Sequence, residues 1–598
     1  MKFQLPKKFK KNALSVCTAL TILGCMTGGS AIGFASPYVM QQISPITVLP
    51  IDNAKFAAGQ QFDFLIEVKD AKTNDIQVTI NGTPADKYFG KNAVIAMNGT
   101  MATYRIDQVS VKKAGNVDIV VNANGNKRIV NYTITAEKSA KKAKNVILMI
   151  GDGMSLPARE MARILSKGIT EGKYNDILEM EKMPNTAIVT TSGYDSIVTD
   201  SANSASAYAT GQKGVVNAMG TYTDSTKDPF DDPKVENIVE LAKRTRNMAT
   251  GLVTTANITD ATPAAMVAHT RKRGEQNFIA QTMLDAKHRP DVIMGGGSRQ
   301  FLPMSTPGSK RKDETNVINE FKDLGYQFSG TKSDLLATPA NADKLLGLYQ
   351  LDNLNVYVDR EMLKNPKVLG GFNDQPGLVD MTKKAIDTLS KNPNGFFLMV
   401  EGACIDKQLH TMDWQRAAYD NIELDKAVGV AKEFAKQKDD TLIIVVADHS
   451  HGASITGTYH EKDGKTGREA VRTYASAGFP TFEDKDGDGY PDNPDPDVTL
   501  AVQYANHPDV NMDYKFKQEP VSPAIMADGK AIANPSLKGQ FQEGNIPADD
   551  TSEVHSADDV ILNAEGPGAE YFKGVMDNTE VFFGMVRALG LDGNKNSK

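Results

Sequence analysis

Leu442-Ile-Ile-Val-Val-Ala-Asp-His449 sets six apolar residues in a row ahead of an acid and an imidazole. Two other stretches share the design: Val146-Ile-Leu-Met-Ile-Gly-Asp152 and Phe396-Phe-Leu-Met-Val-Glu401. A strand that is apolar on both faces belongs in a parallel sheet with helices on either side. Longer helical patterns, such as residues 421–437, alternate with these runs. The predicted fold is therefore α/β, a doubly wound, mostly parallel sheet covered by helices. In such a sheet the strand ends share one edge, where ligands bind. Asp152, Glu401 and Asp448 are thus expected to converge, and carboxylates with so little basic compensation call for bound cations.

Histidines extend the pattern. Asp406 and His410 are four residues apart, so on a helix both project from one face and can grip one ion. His449 follows Asp448, and His555 stands in Glu553-Val-His-Ser-Ala557. Imidazole with carboxylate suits zinc, whereas carboxylate, hydroxyl and water oxygens suit magnesium, so two metal types are expected. Thr199-Asp-Ser-Ala-Asn-Ser-Ala-Ser-Ala-Tyr-Ala-Thr-Gly211 reads as a small-residue helix beginning near Ser201. A helix N-terminus favours an anion, either a serine alkoxide or the phosphate it attacks. An ordinary N-cap at Asp200 or Ser201 accounts for the same residues.

Val198-Thr-Asp-Ser-Ala202, Ala205-Ser-Ala207, Ile258-Thr-Asp-Ala-Thr-Pro263, Val400-Glu-Gly-Ala-Cys-Ile-Asp-Lys407, Ala447-Asp-His449 and the His555 segment resemble alkaline phosphatase in order and spacing, over about residues 145–591. The resemblance implies a phosphomonoesterase in which Ser201 is transiently phosphorylated. It implies one zinc on Asp406, His410 and His555, and a second on Asp448, His449 and Asp152 beside Ser201. Magnesium would be held by Asp152, Thr262 and Glu401, with Asp260 acting through water; Lys407 would meet phosphate through water. The phosphate clamp falls on Arg273 in Ala268-His-Thr-Arg-Lys-Arg273, with Arg271 as its competitor, while His269 is left structural. The family commonly forms homodimers. The partners expected are small phosphate monoesters.

The rest of the chain is more ordinary. Its 598 residues carry a net charge of −7, which gives no case for a nucleic-acid partner. Residues 1–35 read as a signal peptide, basic at Lys7 to Lys11 and apolar from Ala13 to Met26, so export to a periplasm or the outside is expected. A membrane anchor is the competing reading, and lipidation at Cys25 would be the one route to a membrane. A mature chain keeps Cys404 alone. Residues 46–135 alternate in short β-branched runs with Asn81-Gly82 and Asn124-Gly125 turns, an immunoglobulin-like sandwich, followed by a lysine-rich linker at 136–144. The catalytic part, 145–598, is interrupted by an insertion at about 456–553. In that insertion Asp484, Asp486, Asp488 and Asp492 resemble the start of an EF-hand calcium loop, although Asp495 stands where a glutamate is usual. His451 and His460 remain unassigned. The rivals are a phosphodiesterase or sulfatase of the same superfamily and a calcium-stabilised adhesion protein.

Overall fold

The computed structural model describes residues 44–136, 143–466, 469–472, 478–505, 509–512, 517–537, 539–542, 550–591 and 593–595. The expected leader, 1–35 with Cys25, and most of the expected linker lie outside these residues. Among the described residues no helix is long and apolar enough to cross a membrane.

The centre is a ten-stranded sheet, ordered Gln327–Ser329, Leu345–Leu348, Val292–Gly296, Ala249–Asn257, Phe396–Gly402, Asn145–Gly151, Thr441–Ala447, Val560–Glu565, Asn185–Thr190, Gly574–Asp577. All strands run the same way except Val560–Glu565, which is antiparallel to both neighbours. Every residue of Asn145–Gly151, Ala249–Asn257, Phe396–Gly402 and Thr441–Ala447 is buried, so both faces of the sheet are covered. Helices Leu378–Leu389 and Trp414–Ala435 pack on these strands, as do Ile238–Arg246 and Thr579–Leu589. The last of the long helical patterns begins earlier than its sequence suggests, at Trp414 in place of 421, because Asp413 caps it by accepting the Arg416 N–H. Each Val, Ile or Leu buried in this core contributes about 1.5–3 kcal/mol.

Register places the site. Gly151 pairs with both Gly402 and Ala447, and Ile150 pairs with Glu401. Asp152 and Asp448 therefore leave neighbouring strands at one level, two residues beyond the level of Glu401 and on the same sheet edge.

Residues 46–135 form two sheets around a shared core. At Asn81-Gly82 and Asn124-Gly125 both central residues have positive φ, the geometry of type I′ hairpin turns. This core is completed from the catalytic part by Tyr222 and Val235. Phe62 bridges to Val235, and the Asp63 carboxylate accepts the backbone N–H groups of Gln108 and Lys234 at 2.8 and 3.0 Å. Fully buried Gln60 donates to the carbonyls of Thr210 and Glu236 at 2.9 and 3.0 Å.

Candidate active site

The helix that begins at Ser201, Ser201–Thr210, is buried at every residue. Asp200 is its N-cap: Oδ1 accepts the Asn203 N–H while the Asn203 side chain accepts the Asp200 N–H, leaving Ser201 in the first turn. Ser204 Oγ donates to the Asp448 carbonyl and Tyr208 to the Ala447 carbonyl, locking the helix to the strand that carries Asp448 and His449. Ser201 Oγ then lies 3.3 Å from Asp152 Oδ1 and 3.3 Å from His449 Nε2. Gly153, at φ 60°, lets the backbone after Asp152 pass Asp406; a Cβ there would lie 2.9 Å from Asp406 Oδ1.

The side chains form two groups. Asp152, Asp448 and His449 are all buried, with His449 Nε2 at 3.3 Å from Asp152 Oδ1 and 3.5 Å from Asp448 Oδ2. Helix Cys404–His410 carries Asp406 and His410 on one face, as its four-residue spacing predicts. His410 Nε2 is 3.4 Å from Asp406 Oδ2, His555 Nε2 is 3.4 Å from Asp406 Oδ1, and the two Nε2 atoms are 3.0 Å apart. His410 Nδ1 faces the Glu553 carbonyl at 2.6 Å and His555 Nδ1 the Thr199 carbonyl at 2.8 Å. A carbonyl only accepts, so both Nδ1 atoms carry hydrogen and both Nε2 atoms are the ones turned toward Asp406, as ligands of one ion would be. His449 Nδ1 is fixed likewise on the Ser450 carbonyl at 3.2 Å.

These donors fit metal ions. Two ligand atoms about 2.0–2.1 Å from one tetrahedral zinc are about 3.3 Å apart, close to the separations above. Asp406 Oδ1, Asp448 Oδ2 and Thr262 Oγ1 are buried without a hydrogen bond. Burial and the charge of Asp152 push the carboxyls of Glu401 and Asp448 well above the usual range, a cost that a bound cation removes. Glu401 also accepts from Thr254 Oγ1 at 2.5 Å.

Asp260 links the two cations of the site. Its Oδ1 meets Arg273 Nη2 at 2.9 Å and its Oδ2 meets Lys407 Nζ at 3.0 Å, while Arg273 Nη1 meets Asp200 Oδ2 at 3.1 Å. Arg271 points elsewhere, into Asp224 and Asp232 at 3.0 and 2.8 Å. Of the two arginines, Arg273 is the one held beside Ser201, through Asp200.

His451 belongs to this cluster. Its Nδ1 accepts the Gly452 N–H at 3.1 Å, so Nε2 carries the hydrogen, aimed at Asp406 Oδ1 3.6 Å away. It stands opposite His555 in a short antiparallel pair, and its position two residues after His449 is the signal that sequence offered. His460 ends the strand Ala453–His460, opposite Val498. In the insertion, Asp484, Asp486 and Asp488 bring exposed oxygens within 4.8 Å of one another. Asp492 Oδ2 accepts the Lys485 N–H, and its oxygens are not in that group of three.

The comparisons meet this geometry. The family model for alkaline phosphatase matches residues 143–591. The chain belongs to the alkaline phosphatase family. It is 33% identical over 458 residues to alkaline phosphatase 4 of Bacillus subtilis, covering 75% of this chain and 90% of that one. It is 31% identical over 491 residues to the alkaline phosphatase of Escherichia coli K12, covering 76% and 87%. The structure of the alkaline phosphatase from the Antarctic bacterium TAB5 superimposes with a TM-score of 0.51 at 25% identity, over 75% of this chain and 99% of that one. The protein is accordingly a phosphate monoester hydrolase with the alkaline phosphatase fold, and its family implies metal ions at this site.

Proposed function

We propose that this is an exported phosphatase that hydrolyses small phosphate monoesters through a phosphoserine at Ser201, scavenging phosphate outside the cytoplasm. Asp406, His410 and His555 would hold one zinc ion, and Asp152, Asp448 and His449 a second. Asp152, Thr262 and Glu401 would hold magnesium. Bound there, the metals supply Lewis-acid charge for the attacking and leaving oxygens. The observation that carries the reading is Ser201 Oγ at 3.3 Å from both Asp152 and His449, at a helix N-terminus facing Arg273.

The chain's own residues set the steps. The Ser201 hydroxyl hydrogen points at Asp152 Oδ1, which leaves an oxygen lone pair for phosphorus. Oγ forms the O–P bond as the ester O–P bond breaks and the alcohol leaves with a proton; water then cleaves phosphoserine and restores Ser201. The N-terminal backbone N–H groups of Ser201–Thr210 favour the anionic oxygens. Arg273 uses its remaining N–H groups on two phosphoryl oxygens, and Lys407 adds charge behind Asp260.

Hydrolysis of p-nitrophenyl phosphate, a diester and a sulfate ester by the mature protein and by Ser201→Ala tests this. The monoester should be turned over fastest, with chelation abolishing activity and zinc plus magnesium restoring it. Ser201→Ala should stay near background. Fully metallated wild type that is inert on the monoester sinks the reading.

A further inference from the structure

On the far side of the segment that ends in Arg273, Glu240, His269 and His288 each offer one ligand atom within 4.8 Å of the others. They come from separate stretches of chain. Glu240 is in the first turn of helix Ile238–Arg246, where Oε2 also accepts the Asn237 N–H at 2.9 Å and is thereby held in place. His269 lies between helix Ala261–Ala265 and Arg273, and His288 follows helix Gln276–Thr282.

The tautomers are set by their surroundings. His269 Nδ1 is 2.9 Å from the Gly220 carbonyl and Nε2 is 3.2 Å from Glu240 Oε2; both partners only accept, so the ring donates from each nitrogen, and a bound ion would take the place of the Nε2 hydrogen on the Glu240 side. A ring fixed through its far nitrogen on a backbone carbonyl is the usual arrangement of a metal-ligating histidine. His288 Nδ1 is buried, makes no hydrogen bond and lies 3.3 Å from Glu240 Oε1. Burial pushes this ring down to about 4 despite the pull of Glu240, so it is neutral near pH 7 and its nitrogen is free to bind a cation.

We infer that the Glu240 carboxylate, His269 Nε2 and His288 Nδ1 bind one divalent transition ion of the zinc type, at a site separate from the catalytic cluster. Two imidazoles and a carboxylate are a common zinc set, and the ligand atoms lie within 4.8 Å of one another, with His269 Nε2 3.2 Å from Oε2 and His288 Nδ1 3.3 Å from Oε1 of the same carboxylate. The Lys287 ammonium now neutralises Glu240 from 3.0 Å. Its side chain is 43% exposed and swings out when a dication arrives. Access is through a cavity of about 170 Å³ between the sandwich and the catalytic part, lined by Glu240, His269, Lys287, Glu236, Asp63 and Asp107. An ion there ties helix Ile238–Arg246 to the segment that presents Arg273, four residues beyond His269.

Zinc content of the metallated full-length protein, titrated with zinc, decides the matter independently of the catalytic reading. Wild type should take up one equivalent more than His288→Asn, while p-nitrophenyl phosphate turnover by the two agrees within about twofold. Lys287→Gln should bind that extra ion about tenfold more tightly or better, because the competing charge is gone. Equal zinc content in wild type and a folded, active His288→Asn overturns the site. So does an affinity that Lys287→Gln leaves unchanged.

Discussion

His410 and His555 bring their Nε2 atoms within 3.0 Å of each other beside Asp406, each ring fixed from behind by a backbone carbonyl. Without a cation between them and Asp406 the arrangement is unfavourable, so metal removal should cost stability as well as activity. An ion at about 100 times its dissociation constant stabilises the fold by about 2.7 kcal/mol. Chelation should lower the melting temperature, zinc should restore it, and the gap should shrink in His555→Ala. A gap of equal size in the variant would show that the pair does not hold metal.

His451 Nε2 faces Asp406 Oδ1 from 3.6 Å, just beyond hydrogen-bond reach, and its N–H dipole steadies the carboxylate where it stands. His451→Ala should weaken zinc affinity about 10–100-fold, and excess zinc should recover most turnover. A variant that binds zinc as tightly as wild type would make the histidine mere packing.

Arg273 and Arg271 are two residues apart and should fail differently. Arg273→Ala loses charged hydrogen bonds to phosphate worth about 1.5–3 kcal/mol, so phosphate inhibition should weaken about 10-fold to 150-fold. Arg271→Ala strands the buried Asp224 and Asp232 carboxylates and should cost about 3 kcal/mol or more of stability, with kcat/KM of the folded enzyme nearly unchanged. Denaturant midpoints and phosphate inhibition constants, read together, would expose an exchange of these roles.

Burial opposes the charge of Lys407, but Asp260, Asp152 and Asp406 raise its pKa well above 10.5. The sign follows: with the folded value above the unfolded one, its contribution to stability is full below pH 10.5 and is lost only as pH climbs through the higher folded value. Phosphate affinity should therefore show no loss from this ammonium between about pH 8 and 10. The ratio of inhibition constants, Lys407→Met over wild type, should stay flat across that range, and a ratio collapsing toward one near pH 10 would contradict the raised value.

Gln60→Ala leaves the buried carbonyls of Thr210 and Glu236 without their donor. Each such group costs about 1–3 kcal/mol. Urea unfolding should register a loss of that order, whereas an unchanged midpoint would mean that the two parts are only loosely joined.

The catalytic fold was legible because three apolar runs each ended in an acid, and parallel pairing brought those ends to one edge of the sheet. The Asp406 and His410 pair was legible from its spacing. Arg273 could not be told from Arg271 by residue type, since the choice depends on the distant Asp224 and Asp232. His451 was hidden for a related reason: its role rests on which ring nitrogen the Gly452 N–H occupies. Nothing in the alternation of residues 46–135 announced that Tyr222 and Val235 would complete their core.

That shared core changes what the sandwich is mechanically. Gln60 grips the carbonyl of Thr210, the last residue of the helix whose first is Ser201. A force on residues 46–135 would reach the C-terminal end of that helix through this bond. The sandwich thereby holds one end of the helix whose other end presents Ser201.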